Sequence, residues 1–135
     1  MNLNHKKILM STQIIPKSLD HACDVLLANN SVRYVGILDN MGNLIFDKKQ
    51  RELELPISDE KSRSLYIKSV LGILFEKDFD NNVGPLRYIV SHRTKIDMIS
   101  IPIFGYVVMI SIEPNENCDV IANSAIMIFE KLLKN

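Results

Sequence analysis

The side chains able to do chemistry are few and scattered. The histidines are His5, His21 and His92, and the thiols are Cys23 and Cys118. A structural zinc site draws on about four Cys or His ligands at paired spacing. His21 and Cys23 are the only close pair, and residues two apart on a helix face different directions. Cys23 and Cys118 approach each other only if the helices that carry them share a sheet face. Otherwise Cys23 is a buried apolar residue and Cys118 a helix-start thiol, a position that lowers a thiol pKa. No Ser-His-Asp or Cys-His arrangement is recognisable. Glycines at 36, 42, 72, 84 and 105 are too dispersed for the converging amides of a phosphate loop. Asp78, Asp80 and Asn82 match the opening of a calcium loop, but Val83 stands where that loop needs glycine and no Glu closes it. A solvated helix end accounts for them better. The expectation is no catalytic residue, no metal site, no cofactor and hence no enzyme.

Two surface features point to recognition instead. His92, Arg93 and Lys95 form a basic hairpin tip that suits an acidic partner or a phosphate, although a solvated turn is the plainer account. In the segment after Pro56, Ser62, Leu65, Ser69, Gly72 and Glu76 recur at helical spacing. Gly72 inside a helix costs about 1 kcal/mol relative to Ala, so a compensating role is worth seeking. Small residues at 69 and 72 let another helix approach, with Leu65 and Tyr66 as apolar anchors.

These features need a scaffold. The chain has 135 residues, 47% of them apolar and 24% charged, which suits one globular domain. Lys and Arg number 16, as do Asp and Glu. This neutral balance argues against nucleic acid as the main partner. The apolar run 8–10 is too short for a secretory core. The run 99–112 is interrupted by Pro102 and Gly105, so no membrane insertion is expected. Sparse cysteine favours a reducing, cytoplasmic location.

Residues 1–16 read as a flexible N-terminal arm and 17–135 as a single domain. Ser18 is a candidate N-cap for a first helix carrying Leu19, Ala22, Cys23 and Leu26. The segment 33–39 is apolar on both faces, as a central strand should be. Asn40-Met41-Gly42 is a hairpin turn. A second strand covers 43–46, and a polar connection follows from Lys48. Ser58 starts a second helix with Asp59 and Glu60 in its first turn. Its expected buried stripe is Ile67, Val70, Leu71 and Leu74, opposite the row through Ser62 and Gly72. Strands follow over 86–91, 96–101 and 106–112, the last again apolar on both faces. Leu86, Tyr88 and Val90 line one face of the third strand, an expected edge. Asn117 caps a last helix with a stripe of Ile121, Ala125, Ile128 and Leu132. The order α-β-β-α-β-β-β-α, with tight strand connections, implies an α+β fold, a three-layer α/β/α sandwich on a five-stranded, mainly antiparallel sheet.

That order resembles the Roadblock/dynein light chain superfamily, which is close to profilin and longin domains. A more specific likeness is to an uncharacterised archaeal family of small single-domain proteins. It is carried by residues 33–45, from Arg33-Tyr34-Val35-Gly36 through Asp39-Asn40-Met41-Gly42-Asn43. It continues in Asp78-Phe79-Asp80-Asn81-Asn82-Val83-Gly84-Pro85, running on to Pro102, and in Ser111-Ile112-Glu113-Pro114-Asn115. One departure is Phe46-Asp47-Lys48-Lys49, where such proteins have small, glycine-rich residues. The resemblance implies a sheet order of 2-1-5-4-3 and a homodimer formed by the second helix and the third-strand edge. It also implies an adaptor or regulatory role, often beside a small GTPase. The implied interface comprises Ser62, Leu65, Tyr66, Ser69, Gly72, Tyr88 and Val90, with His92, Arg93 and Lys95 facing a further protein partner. The competing expectation is a small-ligand sensor of PAS-like type, with a pocket between sheet and helices that Met98 and Met109 could line.

Overall fold

Segments with apolar residues every three or four positions alternate with segments where they run together, and the folded elements follow that division. The computed structural model describes residues 17–50 and 58–133. Helix α1 covers residues 17–27. Strands β1 (Val32–Leu38) and β2 (Leu44–Lys49) follow, then α2 (Asp59–Lys77) and the single-turn α3 (Asp80–Val83). Strands β3 (Ile89–His92), β4 (Asp97–Ile103) and β5 (Tyr106–Ile112) lead into α4 (Cys118–Leu133). The expected arm, 1–16, lies outside the described residues. No described helix is long and apolar enough to cross a membrane.

The strands make one sheet in the order β2-β1-β5-β4-β3, with every neighbouring pair antiparallel. The two strands apolar on both faces, β1 and β5, are central, as expected. Helices α1 and α4 cover one face, where Leu19, Ala22, Cys23 and Leu26 of α1 meet Ile121, Ala125 and Phe129 of α4 over Val35, Ile37, Ile99 and Ile110. Helix α2 covers the other face through Tyr66, Val70 and Ile73. The result is the three-layer α/β/α sandwich.

Turn and cap chemistry fixes the joints. The Asp39 carboxylate accepts from the Met41 and Asn43 backbone N–H groups at 2.8 and 2.9 Å. Gly42 has φ +85°, and a Cβ there would stand 3.1 Å from the Ile67 Cα, so glycine serves both the turn and the close approach to α2. The Ser58 hydroxyl caps α2 by accepting from the Lys61 N–H. Asn117 Oδ1 accepts from the Val120 N–H at 3.2 Å.

Strands β1 and β4 are displaced by one or two residues from expectation, and three further boundaries differ for a visible physical reason. Ser18 lies inside a helix already formed at residue 17, so it is not the N-cap. Strand β2 runs on through Lys49 instead of ending at Phe46, because its polar residues find partners. Lys48 Nζ reaches Asp20 and Asp24 of α1 at 2.7 and 2.5 Å, and these bonds raise its pKa. Strand β3 starts at Ile89 instead of Leu86, whose N–H is taken by the Asp80 carboxylate at 3.0 Å. The acidic group at 78–82 thus closes a helix end.

Candidate functional site

Helix α2 is apolar around most of its circumference, so periodicity alone does not decide which side meets the sheet. The structure buries Tyr66, Val70 and Ile73. Relative to the expected stripe this is a rotation of about a quarter turn. Of that stripe only Val70 is buried; Ile67, Leu71 and Leu74 are 49%, 43% and 50% exposed. The row expected outside is drawn toward the sheet. Ser62, Leu65, Ser69 and Gly72 are half-buried, and Tyr66 is 8% exposed. Gly72 faces Ile89 of β3, whose Cδ1 would lie 3.9 Å from a Cβ. That is an ordinary contact distance, so the packing within the chain does not require glycine at this position. The outer face of α2 carries Ile67, Leu71, Leu74 and Phe75, and Phe79 and Val83 extend the exposed apolar surface past its end.

The reason for the rotation is a polar chain beneath the helix. Tyr34 is 2% exposed. Its hydroxyl lies 3.0 Å from the Tyr66 hydroxyl and donates to Asp47 Oδ2, also at 3.0 Å. Burial, then the bond to Tyr66 and the Asp47 charge, push the Tyr34 pKa up, so it stays a neutral donor. The Tyr34 ring lies over Gly36, where a Cβ would come within 2.8 Å of the hydroxyl oxygen. Tyr-x-Gly on one strand face is thus a packing unit, a signal visible in the sequence but not read from it.

Tyr34 and Tyr66 line crevices on both flanks of α2. One is broad and polar, between α2 and β2, with Asp47, Lys49, Asp59 and Arg63 on its walls. The other, about 340 Å³, lies between α2 and the β4–β5 side of the sheet. Its lining includes Leu65, Ile96, Met98 and Met109, with Lys61, Lys68 and Arg93 also present. Ser111, 0% exposed, lines it too, and its hydroxyl has no hydrogen-bond partner among the described residues.

The other expected residues fall elsewhere. Tyr88 and Val90 pack against the α1/α4 side of the sheet, and the Tyr88 hydroxyl bonds Asp119. They do not share a face with α2, and Leu86 lies apart from them, on the α2 side. His92, Arg93 and Lys95 are all exposed. His92 also turns inward: Nδ1 is 3.1 Å from Asp97 Oδ2. Asp97 is 2% exposed, with Oδ1 accepting from the Arg93 backbone N–H at 3.1 Å and Oδ2 lying 3.7 Å from Cys118 Sγ. Burial works against the Asp97 charge, but these bonds hold its carboxyl below the ordinary range. The Cys118 thiol is not lowered by the helix start; burial and the Asp97 carboxylate push it up. Cys23, also a free and buried thiol, is pushed up by burial to about 12. Sequence reasoning missed Asp97, which gave no signal beyond being a lone acid opening an apolar strand.

The sequence matches the model of a family described as a family of unknown function, DUF6659, over residues 11–135. No curated protein matches it. Among solved structures, the chain is similar to a Roadblock/LC7 domain from Streptomyces avermitilis, with TM-score 0.66 at 8% identity, covering 85% of this chain and 94% of that one. It is similar to MglB of Myxococcus xanthus, with TM-score 0.62 at 15% identity, covering 88% and 92%. It is also similar to an MglB with tetrameric arrangement, with TM-score 0.63 at 9% identity, covering 87% and 90%. The fold is therefore Roadblock/LC7-like, of the profilin and longin type. The organisms named are bacterial, so they lend the archaeal likeness no support.

Proposed function

We propose that this chain, which belongs to the DUF6659 family, is a non-catalytic, cytoplasmic interaction module that works as a homodimer through the outer face of α2. The observation that carries this reading is the exposed row Ile67, Leu71, Leu74 and Phe75, more than two helical turns of apolar surface. Contiguous apolar surface of this kind marks interaction sites. A second copy is the occupant for three reasons. The chain has no net charge to oppose self-association. Among the described strands β3 pairs only with β4, leaving an edge free to extend the sheet. One protein of similar fold is described as having a tetrameric arrangement. The interface thus differs from the expected residue set: α2 pairs through Leu71 and Leu74, while Leu65 and Tyr66 hold it to its own sheet. A small-GTPase partner rests on the Roadblock resemblance alone.

The test is solution mass by light scattering for the native chain, Leu71→Arg and Leu74→Arg. A native dimer split by both substitutions, with circular dichroism unchanged, is expected. A native monomer, or a dimer indifferent to both, overturns the α2 interface.

A second reading, a small-ligand sensor, draws support from the crevice with the orphaned Ser111 hydroxyl. Met98 and Met109 offer a pliable apolar floor, and Lys61, Lys68 and Arg93 suit an anion. A small carboxylate or phosphate ester with an apolar body fits that lining. Thermal stabilisation by such compounds, lost in Met109→Trp, is the expected sign. No stabilisation across the set removes this reading.

A further inference from the structure

We propose that His92, Asp97 and Cys118 bind a divalent cation of the zinc class where the β3–β4 hairpin meets the start of α4. Among the described residues they are the one group of three metal-ligating side chains that converges, with the ligand atoms all within 4.8 Å of one another. Zinc takes this mixture of imidazole nitrogen, carboxylate oxygen and thiolate sulfur. Ligand atoms bonded to a tetrahedral zinc stand about 3.3–3.6 Å apart, given its usual bond lengths. Here Asp97 Oδ2 lies 3.1 Å from His92 Nδ1 and 3.7 Å from Cys118 Sγ, so two of the three edges need only a few tenths of an ångström.

The support around the ligands is of the kind metal sites use. The Arg93 backbone N–H holds Asp97 Oδ1, which orients the carboxylate and leaves Oδ2 between the other two ligands. Asp97 opens β4, His92 closes β3 and Cys118 opens α4, so each ligand sits at the end of a regular element. A surface depression lined by His92, Arg93, Asp97, Asn115 and Glu116 reaches two of the three ligands from solvent, and three protein ligands leave a fourth position for water. On coordination the Cys118 thiol proton passes to solvent. The imidazole binds through Nδ1 and keeps its proton on Nε2. The simpler account is a buried carboxylate satisfied by three hydrogen bonds, and the two accounts part in solution.

The full chain, stripped with a chelator, is titrated with cobalt(II) and then with zinc(II). One equivalent of cobalt with thiolate-to-cobalt charge-transfer absorption is expected, displaced by zinc. Cys118→Ser removes that absorption. His92→Ala lowers zinc affinity at least about 100-fold, since even outer partners of a metal site cost 10–100-fold. The His92 side chain is 70% exposed, so this variant keeps its fold and decides the matter even if Cys118→Ser does not. Absence of the charge-transfer band in the native chain overturns the proposal. So does binding that persists unchanged in His92→Ala, which places the ion elsewhere.

Discussion

The two faces of the sheet are packed differently. Among the described residues, 18 buried ones form one continuous apolar cluster under α1 and α4, with Phe129 and Ile110 at 0% exposure. Under α2 the corresponding cluster has six. The rest of that interface is a tyrosine pair, an orphaned serine and two flanking crevices. The first face holds the fold. The second has the smaller buried cluster and leaves apolar surface, crevices and polar groups exposed, which suits the interaction role proposed above.

The comparison breaks most plainly with core truncations. Phe129→Ala should cost about 3–5 kcal/mol in urea unfolding. Val70→Ala under α2 should cost clearly less than Val35→Ala under α1 and α4, because the buried cluster around Val70 is the smaller one. Equal losses would make the two faces equivalent. Next, Gly36→Ala should cost about 1–3 kcal/mol, because the Tyr34 ring and hydroxyl must shift from positions 2.8–2.9 Å from the new methyl. Tyr34→Phe should relieve only part of that crowding, because the ring carbons stay 2.9–3.1 Å from the new methyl, and it also loses the bonds to Asp47 and Tyr66, which a double-mutant cycle would register.

Ser111→Ala sharpens the contrast in the opposite direction. Removing a buried, unpaired hydroxyl should stabilise the chain by about 1 kcal/mol, and a destabilised variant would mean the hydroxyl has a partner. A smaller effect is confined to acid. Partial burial works against the Asp39 charge, but hydrogen bonds from Asn43, Met41 and Gly42 hold its carboxyl below the ordinary range. Its contribution is therefore present above the unfolded carboxylate pKa and is lost as pH falls through the lower folded value. Asp39→Asn should flatten that acid limb of the stability profile and change little near neutrality. Leu71→Arg sits last in stability, within about 0.5 kcal/mol for a surface position in the monomer, although the same change should split the proposed dimer.

Much of the fold was legible because its signals are local. Leu19, Ala22, Cys23 and Leu26 recur at helical spacing and are all buried. Residues 106–112 are apolar on both faces, and that strand is central. Ser58 and Asn117 announce their helices and cap them. The candidate site was less legible. In α2, Leu65, Tyr66, Ile67, Val70, Leu71, Ile73 and Leu74 permit several rotations, and a tyrosine is not an obvious inward residue. His92 and Asp97 share one hairpin, five residues apart, but Cys118 lies 21 residues beyond Asp97, so no short motif joins all three.

Element types, their order, the caps at Ser58 and Asn117 and the double-sided burial of β1 and β5 follow from the sequence by itself, because they depend on residues within a few positions of one another. The rotation of α2, the face to which Tyr88 points and the meeting of His92 with Asp97 and Cys118 were decided only by tertiary structure. Each depends on which surface lies opposite. For α2 that surface is the Tyr34 ring over Gly36, with a hydroxyl for which Tyr66, and not Ile67 or Leu71, offers a hydrogen bond.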